Sequence, residues 1–255
     1  MRIVQIPLLR DNYAYLVVCD KSNEAAIVDP SEAEPVLRRV KQEKVRLKAI
    51  LNTHHHRDHT GGNEGLLQSL PLEVYGHSVD NGRIPGLTHP LDEGAEVAIG
   101  ELKARVFFIP GHTKGHVAYL FDHSLFCGDT LFVAGCGRLF EGTAEQMVDS
   151  LGKLQRLPPE TLVYCGHEYT EKNIQFAMTL EPTNEKLAAK MHSVRSLRSK
   201  GLSTVPSTMA EEKETNPFLR CDSREIQQNL RKRFPDPSLD PVSVFSQIRK
   251  LKDQF

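Results

Sequence analysis

The stretch Leu47-Lys-Ala-Ile-Leu-Asn-Thr-His54-His-His-Arg-Asp-His59 joins a short apolar run to a hexapeptide made almost entirely of metal-binding side chains. Ala49–Leu51 reads as a buried strand, so the histidines fall where a rigid strand ends and a turn begins. His54, His56, Asp58 and His59 then gather three imidazoles and a carboxylate on one tight turn. A helix cap or a packed core needs fewer donors. A pair of divalent ions needs about this many: imidazole suits zinc, and the carboxylate widens the choice to iron or manganese. The bland alternative is a polar loop of solvated histidines.

The rest of the chain weighs against that alternative. Pro110-Gly-His112-Thr-Lys-Gly-His116, Cys127-Gly-Asp129-Thr130 and Cys165-Gly-His167-Glu168 each follow an apolar strand-like run. Each offers His or Asp beside a glycine that permits a tight turn or a close backbone approach. Four such loops are hard to explain by packing and are expected to converge on a binuclear site. His55, between ligands, is expected to point away, and His116 to serve as a structural donor. Tyr13 and Tyr15 read as core or rim.

Composition narrows the function classes. The 255 residues carry 32 basic and 33 acidic side chains, net −1, which gives no basic excess for nucleic acid. No apolar run approaches the roughly eighteen residues of a membrane span. Met1-Arg-Ile-Val-Gln-Ile-Pro7 is too short and polar for a signal peptide's apolar region and reads as an edge strand. Five scattered cysteines without a Cys-x-x-Cys suggest reduced thiols that serve packing. A soluble cytoplasmic monomer that engages neither membrane nor nucleic acid is expected.

Patterning sets out an α+β chain. Strands are expected at Ile3–Ile6, Ala14–Val18, Ala25–Val28, Ala49–Leu51, Leu72–Tyr75, Ala95–Ile99, Leu102–Ile109, Val117–Phe121, Leu125–Cys127 and Thr161–Tyr164. A helix follows Ser31, with Glu34 completing a capping box, and others carry Leu66, Leu67 and Leu70 or span Ala144–Leu154. Beyond about residue 170 the strand signal vanishes. Helices are expected at Leu187–Leu197, Ser223–Leu230 and Pro241–Lys252, with Gly201 to Pro217 as a connection. Two domains, 1–170 and 171–255, would follow.

In order and spacing, His54-x-His56-x-Asp58-His59 with His112, Asp129 and His167 resembles the metallo-β-lactamase superfamily. Within it, the chain resembles the glyoxalase II, or hydroxyacylglutathione hydrolase, family. The residues that carry this are Cys127-Gly-Asp-Thr-Leu-Phe-Val-Ala-Gly-Cys-Gly-Arg-Leu-Phe-Glu-Gly-Thr143, Cys165-Gly-His-Glu-Tyr-Thr170, Asn216-Pro-Phe-Leu-Arg220 and Lys252-Asp-Gln-Phe255. The resemblance implies an αββα sandwich, then a smaller, mostly helical substrate-binding domain. It implies one ion on His54, His56 and His112, a second on Asp58, His59 and His167, and Asp129 bridging, with zinc first and iron or manganese as alternatives. Asp58 and Asp129 would be the catalytic carboxylates. Glutathione would meet Arg138, Tyr169, Arg249 and Lys252, with the backbone near Gly137 and Phe140 close by. Arg138 stands where many relatives have Lys, and Phe140 where some have Tyr.

The implied reaction is hydrolysis of S-D-lactoylglutathione and related 2-hydroxyacyl glutathione thioesters, the second step of methylglyoxal detoxification. The enzymatic alternatives are another hydrolase of this fold or a persulfide dioxygenase with one iron. The non-enzymatic one is a metal-binding scaffold, which predicts a broken ligand set; all seven positions are intact.

Overall fold

The computed structural model describes residues 1–235 and 238–255. Three antiparallel strands open the chain: β1 (Arg2–Leu8), β2 (Asn12–Cys19) and β3 (Glu24–Val28). β1 is the sheet's edge, as its polar character suggests. β2 is buried along its whole length because both faces are covered. Tyr13, Tyr15 and Val17 enter one apolar cluster, and Ala14, Leu16 and Val18 enter another.

Helix α1 (Ala33–Glu43) then leads to β4 (Arg46–Leu51), parallel to β3. A register shift between Ala25 and Ala26 lets Lys48 stay exposed while Leu47 and Ile50 face one cluster and Ala49 and Leu51 the other. Short helices α2 (Arg57–Thr60) and α3 (Asn63–Ser69) follow, then β5 (Glu73–His77) and β6 (His89–Leu91), both added in parallel. Val36 and Val40 of α1 and Leu66 of α3 cover the outer face of this six-stranded sheet.

The second sheet also has six strands, in the order Ser207–Thr208 (β14), Leu162–Cys165 (β13), Ser124–Gly128 (β10), Val117–Phe121 (β9), Leu102–Phe108 (β8) and Glu96–Ile99 (β7). Beyond β10 comes the small hairpin β11 (Leu131–Phe132) and β12 (Gly135–Cys136), which forms a sheet of its own. Helix α4 (Ala144–Gln155), capped by a Thr143–Gln146 capping box, precedes β13 (Leu162–Cys165). The inner faces of the two sheets share one large core, which includes Tyr15, Leu51, Val106, Tyr119 and Phe126. This is the expected sandwich.

Helices dominate the remainder: α5 (Thr170–Leu180), α6 (Glu185–Ser199), α7 (Met209–Thr215), α8 (Arg224–Arg231) and α9 (Pro241–Gln254). Three details depart from expectation. Strand β14 (Ser207–Thr208) pairs with Leu162 and Val163 of β13, so a strand does occur beyond residue 170. α5 occupies a segment that patterning left unassigned, and α7 forms inside Gly201–Pro217, which was expected to be a connection. Ser31 does not cap α1: the N-cap is Glu32, without a side-chain bond, because the Ser31 hydroxyl donates to the Asp58 carbonyl. All five cysteines are free. No helix among the described residues is long and apolar enough to cross a membrane.

Candidate metal centre

The loops after β4, β8, β10 and β13 meet at one end of the sandwich and bring all seven expected ligands together. His56 Nδ1 lies 3.1 Å from both His54 Nε2 and His112 Nε2. Asp129 Oδ2 lies 3.6 Å from His112 Nε2 and 3.3 Å from His167 Nε2, while its Oδ1 lies 3.3 Å from His59 Nε2. Asp58 Oδ2 completes the group, 3.3 Å from His167 Nε2 and 3.5 Å from His59 Nε2. Three subsets have donor atoms close enough to share an ion: Asp29 with His54 and His59, deep behind the cluster, and two that reach the cavity, His54 with His56 and His112, and Asp58 with His59 and His167. Asp129 stands between the last two.

Four of the five rings, all but His56, are held from behind. Thr53 Oγ1 contacts His54 Nδ1 at 3.0 Å, and Asp29 Oδ2 contacts His59 Nδ1 at 3.0 Å. The Arg138 carbonyl accepts from His112 Nδ1 at 2.8 Å, and Asp11 Oδ1 contacts His167 Nδ1 at 3.0 Å. Such outer partners fix the ring's orientation and raise the basicity of the nitrogen left facing inward. Asn12 Nδ2 donates to Asp58 Oδ2 at 3.1 Å. Glycine makes the convergence sterically feasible. At Gly166 a Cβ would stand 2.6 Å from Asp129 Oδ1, and at Gly128, with φ of +47°, 2.2 Å from Thr53 Oγ1.

The donor set fits a pair of divalent ions. His59 Nε2 and Asp129 Oδ1 are buried without a hydrogen-bond partner, an arrangement that a shared cation would satisfy.

The cluster forms the floor of a cavity of about 920 Å³, which reaches across to α5 and α9. The comparisons decide the family. Residues 9–167 match the model of the metallo-beta-lactamase superfamily, and residues 168–255 that of the hydroxyacylglutathione hydrolase C-terminus. The hydroxyacylglutathione hydrolase of Synechococcus sp. (strain JA-2-3B'a(2-13)) is 52% identical over 258 residues, covering 100% of both chains. The chain belongs to the hydroxyacylglutathione hydrolase family. Two solved structures are also similar to this family member. ETHE1 from Myxococcus xanthus has a TM-score of 0.65 and 29% identity over 98% of this chain and 99% of its own. TTHA1623 in a di-iron-bound form has a TM-score of 0.62 and 28% identity over 86% of this chain and 100% of its own.

Electrostatics divides the centre of this hydroxyacylglutathione hydrolase family member. Burial, with His59 and His116 nearby, holds His54 well below its usual pKa. Burial, with His112 and His55, pushes His56 down to about 4. These rings present lone pairs ready for a metal. Burial also opposes charge on His167, but Asp129 and Asp58 outweigh it and raise the pKa to about 10. His59 is likewise raised, against burial, by Asp129 and Asp29. Burial would raise Asp129, yet His167 and His59 hold it well below the carboxylate range. A cation entering this half therefore displaces protons.

All five expected substrate contacts line the same cavity. Arg138 is exposed. Phe140, 59% exposed, sets its ring edge-on to His112, with centroids 5.2 Å apart. Tyr169 stacks on His167 at 4.6 Å. Lys252 Nζ donates to the Lys172 carbonyl at 3.2 Å and lies over the Phe176 and Phe255 rings, and burial, then Arg249, push its pKa down to about 8. Arg249 donates to Asp253 through Nε and to the Cys136 carbonyl and sulfur through Nη1, with Nη2 2.9 Å from Asp253.

His55 turns away from the cluster toward Asp80, 3.4 Å from its Oδ1. His116 accepts from the Asp129 backbone N–H through Nε2, at 3.1 Å. Reasoning from sequence missed Asp29, Asp11, Asn12 and Thr53. Their signal was position: Asp29 directly follows β3, and Asp11 ends the turn that leads into Asn12, the first residue of β2.

Proposed function

We propose that the chain hydrolyses 2-hydroxyacyl glutathione thioesters, S-D-lactoylglutathione foremost, to glutathione and the free hydroxy acid. One observation carries this: a cluster suited to two ions forms the floor of a cavity whose far wall presents Arg138, Arg249 and Lys252. A volume of about 920 Å³ suits a tripeptide thioester.

In this proposal His54, His56 and His112 hold one divalent ion, Asp58, His59 and His167 the other, and Asp129 lies between them. Zinc is the ion proposed, with iron or manganese taken according to supply. When bound, such a pair supplies a water acidified to near neutrality and positive charge for the carbonyl oxygen and the leaving sulfur.

The chain's own residues orient the reaction. Asp58, fixed by Asn12, and Asp129, fixed through its backbone by His116, accept hydrogen bonds from the attacking water and aim its oxygen at the acyl carbon. The C–O bond forms as the water gives up a proton, the C–S bond breaks, and that proton passes to the departing thiolate, so that glutathione leaves as its thiol and the acyl group as the hydroxy acid. Arg138, Lys252 and the guanidinium of Arg249 meet the peptide's carboxylates. Phe140 and Tyr169 shield the reacting bond from bulk water.

The test is hydrolysis of S-D-lactoylglutathione by purified protein, with metals counted on the same sample. Hydrolysis with about two ions per chain is expected. A filled binuclear site without hydrolysis would refute the glutathione assignment. A single iron without hydrolysis would favour the dioxygenase alternative.

A further inference from the structure

The segment Asn216-Pro-Phe-Leu-Arg220 carries the family resemblance, yet nothing in the proposed chemistry uses it. Its first residue and Glu212, one helical turn earlier, are both 0% exposed. They meet the β11–β12 hairpin, 78 to 84 positions earlier in the chain. Glu212 Oε2 accepts from the Ala134 backbone N–H at 2.7 Å. Asn216 Nδ2 lies 3.1 Å from the Phe132 carbonyl, 2.9 Å from the Gly135 carbonyl and 2.9 Å from Glu212 Oε2. On its other side, Glu212 Oε1 takes the Ser207 hydroxyl at 2.6 Å and the Lys190 ammonium at 3.0 Å. Asn173 adds a bond to the Val133 carbonyl at 3.0 Å.

Four buried backbone groups of this hairpin thus find partners in C-terminal side chains. A hairpin of two-residue strands has too few ladder bonds to hold itself, and Ala134 sits at φ +54°, a left-handed conformation that a non-glycine residue adopts at a cost. The hairpin matters for the cavity. It starts two residues after Asp129, sets Phe132 against Tyr169 with centroids 5.3 Å apart, and presents the Cys136 carbonyl to Arg249 at 2.9 Å. Arg138, whose carbonyl holds His112, follows directly.

We infer that Glu212 and Asn216 are positioning residues that set the substrate-facing hairpin from behind, so that these two side chains influence substrate affinity without touching the substrate. This rests on the function proposed above. The Ala134 N–H, the Asn216 amide N–H₂ and the Lys190 ammonium can only donate, so a glutamine would lose either the pair on Oε2 or the bond from Lys190.

Hydrogen exchange and kinetics on the metal-loaded enzyme test it together. In the unmodified protein the Ala134 amide should exchange slowly, and free exchange there overturns the pin outright. In Asn216→Ala, exchange over residues 131–137 should rise at least about tenfold while 54–59 and 112–116 keep their rates. KM for S-D-lactoylglutathione should rise about tenfold, with metal content unchanged and kcat within about threefold. A purely structural role would lower the folded fraction, hence apparent kcat, and leave KM alone. Unchanged exchange in 131–137 overturns the pin, and raised exchange with unchanged KM overturns the influence on affinity. If Asn216→Ala does not fold, Glu212→Asp, which keeps the charge but shortens the reach to Ala134, is judged by the same readouts. A wild-type enzyme inert toward the thioester would refute the proposed function instead, while exchange still decides the pin.

Discussion

The floor and the far wall of the cavity are stabilised in opposite ways. On the floor, donors facing the metals are backed by groups at strand ends: Asp29 behind His59, Thr53 behind His54, Asp11 behind His167. The wall relies on side chains from remote helices that reach back to a weak hairpin. A floor set by strand ends holds donor geometry more rigidly than loops alone would. A wall set by helices meets the cluster at fewer points, among them the Arg138 carbonyl on His112, and can shift with less effect on the metals. Metal affinity and substrate affinity should therefore be separable by mutation.

The most damaging change is at the floor. Asp129→Ala removes the carboxylate between the two sets of rings and should abolish metal retention together with hydrolysis, a loss of at least about a thousandfold in kcat. Metal counting beside kinetics checks it; full metal content in an inactive variant would break the assignment of Asp129 as a ligand. Asp29→Asn comes next. It weakens the support of His59 and Thr53 and should cost about 10- to 100-fold in metal affinity with KM unchanged once metal is saturating, as read by competition with a chelator.

At the wall, Arg249→Ala combined with Lys252→Ala should raise KM for the glutathione thioester about tenfold or more and lower kcat far less. An unchanged KM would sink their binding role. The smallest effect on catalysis belongs to Glu181, buried at the end of α5 against Arg220 and Ser223. Burial opposes its charge, but Arg220 and Ser223 lower its pKa below the ordinary 4.5. The folded value lies below the unfolded one, so this stabilisation is present above about pH 4.5 and is lost as pH falls through the folded value. Glu181→Gln should lower stability at neutral pH by about 2–3 kcal/mol, shrink that difference in acid, and leave KM unmoved. Denaturant titrations at two pH values would show it.

The metal centre was the most legible part because ligand chemistry belongs to residue type, and strand-end placement could be read from neighbouring apolar runs. The groups behind the ligands were not, since an Asp after a strand looks the same whether it turns the chain or orients a histidine. Capping signals misled in both directions. Ser31 and Glu34 have capping-box spacing, but the hydroxyl of Ser31 finds a partner at Asp58. Thr208 and Glu211 form a real box that starts α7, a helix too short to show a periodic stripe. α5 went unseen because Asn173, Ile174, Phe176 and Ala177 are all buried, which leaves no clean polar face to reveal the period. β14 exists only because β13 offers an edge.

That last strand has a consequence for dissecting the chain. Ser207 and Thr208 close off Leu162 and Val163. A fragment ending near residue 170 would leave those two residues as an open edge, their backbone groups ready to pair with another molecule. Such a fragment is expected to self-associate, and the point where the strand signal fades is a poor place to cut.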